Sequence, residues 1–239
     1  MTIRDIAVAF GIEVDQKSVS AAESAIKGVK NMASKLLGAI GIGFSIAGIA
    51  NLAEAAADAE ALKSQFSQVF GDLEQDASDK LDKIADETGV TVNRMKGSFT
   101  QIAAFAKTTG MEQADALDIA DRSMKAVADS AAFYDRSIED VTNSLQSFLK
   151  GNFENDAALG LSCTETTRNT AANALYGKSF KDLSEAEKQL TLLQMVEDAN
   201  KASGAIGQAA RESDTWTNQL GNLKQNVQDL KAAAGNAFL

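Results

Sequence analysis

Hydrophobic positions along this chain follow two different periods. Near the N-terminus Ile6, Val8, Phe10, Ile12 and Val14 alternate with small or polar residues, the pattern of one half-buried strand. No antiparallel partner pattern lies nearby, so this strand is expected to pair with a distant segment or with another chain. From Ser18 onward the period is helical. Val19, Ala22, Ile26, Val29 and Ala33 mark an amphipathic helix over 18–35, and residues 36–53 follow with no charge at all. Beyond them, 54–70 and 72–88 read as helices with Leu62, Phe66, Val69 and Leu73 on one seam. Glycines at 71, 89, 110, 151, 177 and 204 stand where helical patterns end.

The clearest periodicity runs through Leu117, Ala120, Met124, Val127, Ala131, Tyr134, Ile138, Val141, Leu145 and Phe148, in alternating steps of three and four. Such a seam predicts a coiled coil or a long helical hairpin arm. Ser137 and Asp140 resemble a helix N-cap that would break the helix near Asp135, but the unbroken seam favours continuity. A second seam passes through Trp216, Leu220, Leu223, Val227 and Leu230 and runs as an Ala-rich helix to Leu239 without a stop signal. A chain ending in mid-pattern is expected to be a piece of something longer. Between the seams, Ser184 and Glu187 form a capping box that opens a helix to about Ser203. The expected fold is therefore all-α and elongated, with coiled-coil segments and one short N-terminal strand. Three regions follow: 1–53 with strand, helix and apolar segment; 54–204 with the long seam; and 205–239, where a coiled coil begins.

Composition narrows the chemistry. The 239 residues include no proline, no histidine and a single cysteine, Cys163. Absent proline suits long uninterrupted helices. Without histidine there is no imidazole base, triad or metal ligand of the usual kind, and one thiol excludes an intramolecular disulfide and a Cys-rich zinc site. Cys163 reads as a plain thiol, since no basic neighbour is implied to lower its pKa. Asp115, Asp118 and Asp121 recur along one helix face, but Arg122 and Lys125 adjoin them, as on a solvated surface. No enzymatic activity, cofactor or metal is expected. The net charge of −10 argues against specific nucleic-acid binding, which depends on clustered Lys and Arg.

The uncharged run LLGAIGIGFSIAGIANLA, Leu36 to Ala53, admits several readings. Gly43 and Gly48 have the glycine spacing of a phosphate loop, but Ile49-Ala50 stands where Lys-Ser/Thr is required. As a helix the run spans about 27 Å, just short of the hydrocarbon core of a bilayer. Ala39, Gly43 and Ala47 form a small-residue stripe, and Lys27, Lys30 and Lys35 precede the run. Many of its residues are small, and Ile40, Ile42, Phe44 and Ile46 alternate as in a strand. The favoured reading is a packing core between copies of the chain, using Leu36, Leu37, Ala39, Ile40, Ile42, Gly43, Phe44, Ile46 and Ala47, ahead of conditional membrane contact and of a constitutive span.

Three stretches carry a family resemblance. FGIEVD leads into AAESAIKGVKNMASKLLGAIGIG. The middle holds SLQSFLKGNFENDAALGLSCTETTRNTAANALYGKSFKDLSEAEKQL. Near the end comes ESDTWTNQLGNLKQNVQDLKAAAG. In this order they resemble the N-terminal part of a phage tail tape measure protein. The resemblance implies a mostly helical structural protein, several copies of which lie in the lumen of a growing tail tube. Its length would set tail length, and it would be released at DNA ejection. Implied partners are further copies of itself, the tail tube protein, tail assembly chaperones, tail-tip initiator proteins and, during ejection, the host membrane; assembly would take place in the host cytoplasm. Tape measures are usually much longer, so this chain is either the N-terminal portion of a longer ruler or a small relative, and the first is the favoured expectation. Two other readings compete. A membrane-active pore former would insert Leu36–Ala53, and a bacterial coiled-coil adaptor would offer the Leu117–Phe148 seam to a partner helix.

Overall fold

A computed structural model describes residues 46–154 and 156–236, and among them every regular element is helical. The chain divides into two units, one formed by residues 61–226 and the other by 1–60 with 227–239. Of the second unit the description covers the start of helix α1 (Ile46–Phe70) and the end of the last helix, with Ala55, Ala56 and Ala232 buried. The expected strand at Ile6–Val14, the amphipathic helix at 18–35 and most of the apolar run lie outside the described residues. Of the apolar positions singled out there, Ile46 and Ala47 begin α1. Among the described residues no helix is long and apolar enough to cross a membrane.

In the 61–226 unit each helix begins and ends for local reasons. The carbonyls closing α1 find donors elsewhere in the chain: Lys107 Nζ donates to Val69 O at 2.7 Å, and Gln113 Nε2 donates to Phe70 O. Such ends would otherwise leave unpaired acceptors. After a 3₁₀ turn at Gly71–Leu73, α2 (Glu74–Thr88) carries acids in its first turn and buries Ala77, Leu81, Ile84 and Thr88 at steps of four and three. It stops at Gly89, whose φ of 69° is a left-handed conformation that favours glycine. Helix α3 (Val92–Thr108) brings in Met95, Phe99, Ile102, Ala103 and Ala106. Phe70 lies between Phe66 and Phe99, with ring centroids 4.7 and 5.3 Å away. These tilted geometries add attraction beyond simple burial.

Helix α4 (Gln113–Phe133) is the axis of the unit. It is buried on most of its circumference, through Ala116, Leu117, Ile119, Ala120, Ser123, Met124, Ala126, Val127, Ala128, Ser130 and Ala131. Small side chains between the large ones let other helices approach its backbone, so α2, α3 and three later helices all pack on it.

The long seam does not continue as one helix. Helix α4 ends at Phe133, Asp135 takes a left-handed φ of 51°, and α5 (Ile138–Leu149) begins anew. Ser137 Oγ accepts from Asp140 N at 3.0 Å, the N-cap that the Ser137–Asp140 pair signals. The phase of the seam survives the break because both helices turn their apolar faces into the same core. A loop with a 3₁₀ turn at Asp156–Leu159 follows, then α6 (Glu165–Tyr176), a second turn at Phe180–Asp182, α7 (Glu185–Ser203), the short α8 (Gln208–Arg211) and α9 (Trp216–Asn236). Helix α7 opens with the expected capping box: Ser184 N donates to Glu187 Oε2 at 2.7 Å and Glu187 N to Ser184 Oγ at 3.2 Å. The Ser184 bonds hold the Glu187 carboxyl below the usual carboxylate range.

Candidate functional site

Two places on the 61–226 unit bring polar side chains together across distant parts of the chain. The first is an open groove of about 440 Å³ bordered by α2, α4, α7 and the 205–210 turn. Its charges are mutually satisfied. Asp121 meets Lys80 at 3.2 Å and Lys125 at 3.6 Å, and Lys125 also reaches Glu87 at 3.5 Å. The Arg122 guanidinium grips Glu197 through two bonds of 2.9 and 2.7 Å, and the hydrogen bonds to Glu197 raise its pKa. Asp129 accepts from the backbone of Gly207 at 2.8 Å and Ala209 at 3.1 Å, pinning the turn before α8. Beneath them Asn200, only 2% exposed, donates to Ala126 O at 3.1 Å and accepts from Ser130 Oγ at 2.9 Å. The groove is thus a set of pins joining α2, α4 and α7. Its charges face one another, and apolar contact is offered chiefly by Ile206, which is 53% exposed.

The second place is where α9 meets the α2–α3 turn. Asn218 and Asn222 stand four residues apart, on one helix face. Both donate to Gly89 O, at 3.1 and 2.7 Å. Their side-chain oxygens accept in turn: Asn218 from Arg94 Nη1 at 2.9 Å, Asn222 from Thr91 N at 3.3 Å. Burial pushes the Arg94 guanidinium below its usual pKa, while the charge of Glu139 opposes that shift. Gly221, between the two amides, leaves room for that guanidinium: a Cβ there would come within 2.6 Å of it.

The sequence-predicted residues distribute unevenly over these places. Leu117, Met124, Val127, Ile138, Val141, Leu145 and Phe148 are all buried in the core of the unit. Their seam is filled by the chain's own helices. Tyr134 closes α4, its ring edge-on to Phe133 at 4.9 Å. On α9, Leu220 and Leu223 are exposed, at 36% and 57%, while Val227 and Leu230 are half-buried. Trp216 starts that helix. Asp115 and Asp118 face solvent, and Asp121 joins the groove network. Among the described residues no cluster of His, Cys, Asp and Glu could hold a metal ion. Cys163 is half-buried; burial raises its thiol pKa, and the Arg168 guanidinium 3.6 Å away opposes the shift. The α9 dock escaped the sequence reading. Its one signal there is Gly221, a glycine in the middle of a heptad pattern.

Set against protein-family models, curated proteins and solved structures, the chain matches none of them.

Proposed function

We propose that the chain is a structural, non-catalytic part of a phage-type tail, the N-terminal region of a tape measure protein. Its folded unit at 61–226 stands outside the measuring span. The observation that carries the reading is the order of the three tape-measure-like phrases along the sequence. The second falls on defined elements from α5 through the capping box of α7, and the third runs from just after α8 along α9.

The fold supports the second half of the reading. A ruler gains about 1.5 Å for each residue in an extended helix. A unit whose longest seam is buried within one chain adds little length. Measurement would then fall to coiled coil continuing beyond the unit, from the end of α9 past Val227 and Leu230. The N-terminal strand and the apolar residues from Leu36 to Ala47 would join copies to one another or to the tube protein, assembly chaperones and tip initiator. On ejection the apolar run would meet the host membrane.

The test is an in-frame deletion of 61–226 in the parent gene, with tails purified, sized by negative-stain electron microscopy and searched for the chain by mass spectrometry. Tails that contain the shortened chain at unchanged length are expected. If the segment were part of the span, its 166 residues would shorten tails by about 250 Å. Absence of even the full-length chain from purified tails would end the tape measure reading.

A further inference from the structure

The geometry points to the 218–226 stretch of α9 as a releasable strap, opened and closed at the Arg94 latch without unfolding of the core. The inference rests on the contacts of the 61–226 unit alone and holds whether or not the chain belongs to a tail.

Among the described side chains of α9 from 218 to 226 none is buried, and none belongs to the hydrophobic core cluster. Leu220 and Leu223 point out to solvent. What faces inward is polar: the amides of Asn218 and Asn222, meeting Gly89 O, Thr91 N and the Arg94 guanidinium. Hydrogen bonds of this kind are exchangeable for water at modest net cost, whereas opening a packed apolar face is not. An element held in this way belongs to the low-stability end of a structure and opens locally. Once undocked, this stretch has no packing to sustain it and its helix frays, which opens its amides to exchange.

Gly221 makes the latch specific. It sits in the helix interior with an ordinary helical backbone, where alanine would favour the helix. A Cβ at that position would come within 2.6–2.9 Å of the guanidinium carbon and nitrogens of Arg94. To admit it, Arg94 must shift its guanidinium from the position in which it bonds Asn218. The absent side chain is therefore the socket for the cation. Gly89 contributes a second close approach, since a Cβ there would overlap Ser213.

Hydrogen exchange of the full chain, read by mass spectrometry, tests this. Amides of 218–226 should exchange at least about tenfold faster than those of α4 at the same pH. Arg94→Ala should speed exchange in 218–226 about tenfold further and leave α4 unchanged. Gly221→Ala should do the same, although it raises helix propensity. Equal protection of α4 and α9 in the unaltered chain would overturn the proposal. So would parallel changes in both helices, or no change in either variant. Slower exchange of α9 in Gly221→Ala would overturn it as well, because a helix docked without a socket gains from that substitution.

Discussion

Asn200 shows how single residues hold this unit together. It lies near the end of α7, almost fully buried, and spends both ends of its amide on α4: the nitrogen on Ala126 O and the oxygen on Ser130 Oγ. A buried amide earns its place only when both ends are paired, since a lone polar group in the core costs about 1–3 kcal/mol. Asn200→Ala should therefore lower the urea-unfolding free energy by about 1–3 kcal/mol. Ser130→Ala removes the hydroxyl from the same pair. The double variant should lose less than the sum of the two, with a coupling of at least about 0.5 kcal/mol. Strict additivity would mean that the two side chains do not act through each other. Arg122 and Glu197 tie the same two helices nearer solvent, where exposed pairs contribute less.

At the scale of elements, the break between α4 and α5 separates what periodicity can say from what it cannot. Steps of three and four report which face is apolar, and the face is the same on both sides of the break. Two helices that bury one stripe in one core look, by spacing alone, like a single helix. The distinction lay in short-range chemistry: Ser137 three residues before Asp140, and Asp135, a residue type that tolerates the left-handed backbone the turn requires. Ser184 and Glu187 were legible for the same reason, because a capping box depends only on its own four residues. The α9 dock was not legible, since it joins residues more than 120 positions apart through amides that resemble any solvent-facing asparagine. Ser137→Ala tests the cap directly. Loss of its bond to Asp140 N should destabilise the unit by about 1 kcal/mol, read by thermal or urea unfolding. Ser137→Asp, another good cap, should restore most of that loss. If neither substitution moves stability, the break is held by packing around Ile138 and Val141, and the cap only accompanies it.

For the whole molecule, the decisive feature is that residues 61–226 own a core. Leu81, Met95, Phe99, Ile119, Met124, Val141, Phe148 and Leu193 are essentially inaccessible and come from α2, α3, α4, α5 and α7. Every one of these helices lies wholly within the unit, and its 166 residues fall in the size range of a self-sufficient domain. A fragment of 61–226 should thus fold without the rest of the chain. Expressed alone, it should be strongly helical by circular dichroism and unfold in one cooperative urea transition, with the same midpoint by circular dichroism and by limited proteolysis. Phe99→Ala in that fragment should cost about 3–5 kcal/mol, the usual loss for emptying a packed aromatic site. Helicity without a cooperative transition would mean that side-chain packing depends on residues 1–60 or 227–239. The unit would then be one stretch of a longer helical assembly, and length measurement could run through it after all. A cooperative fragment leaves a ruler only the segments outside it, because a domain that closes on its own core cannot also lie extended along a tube.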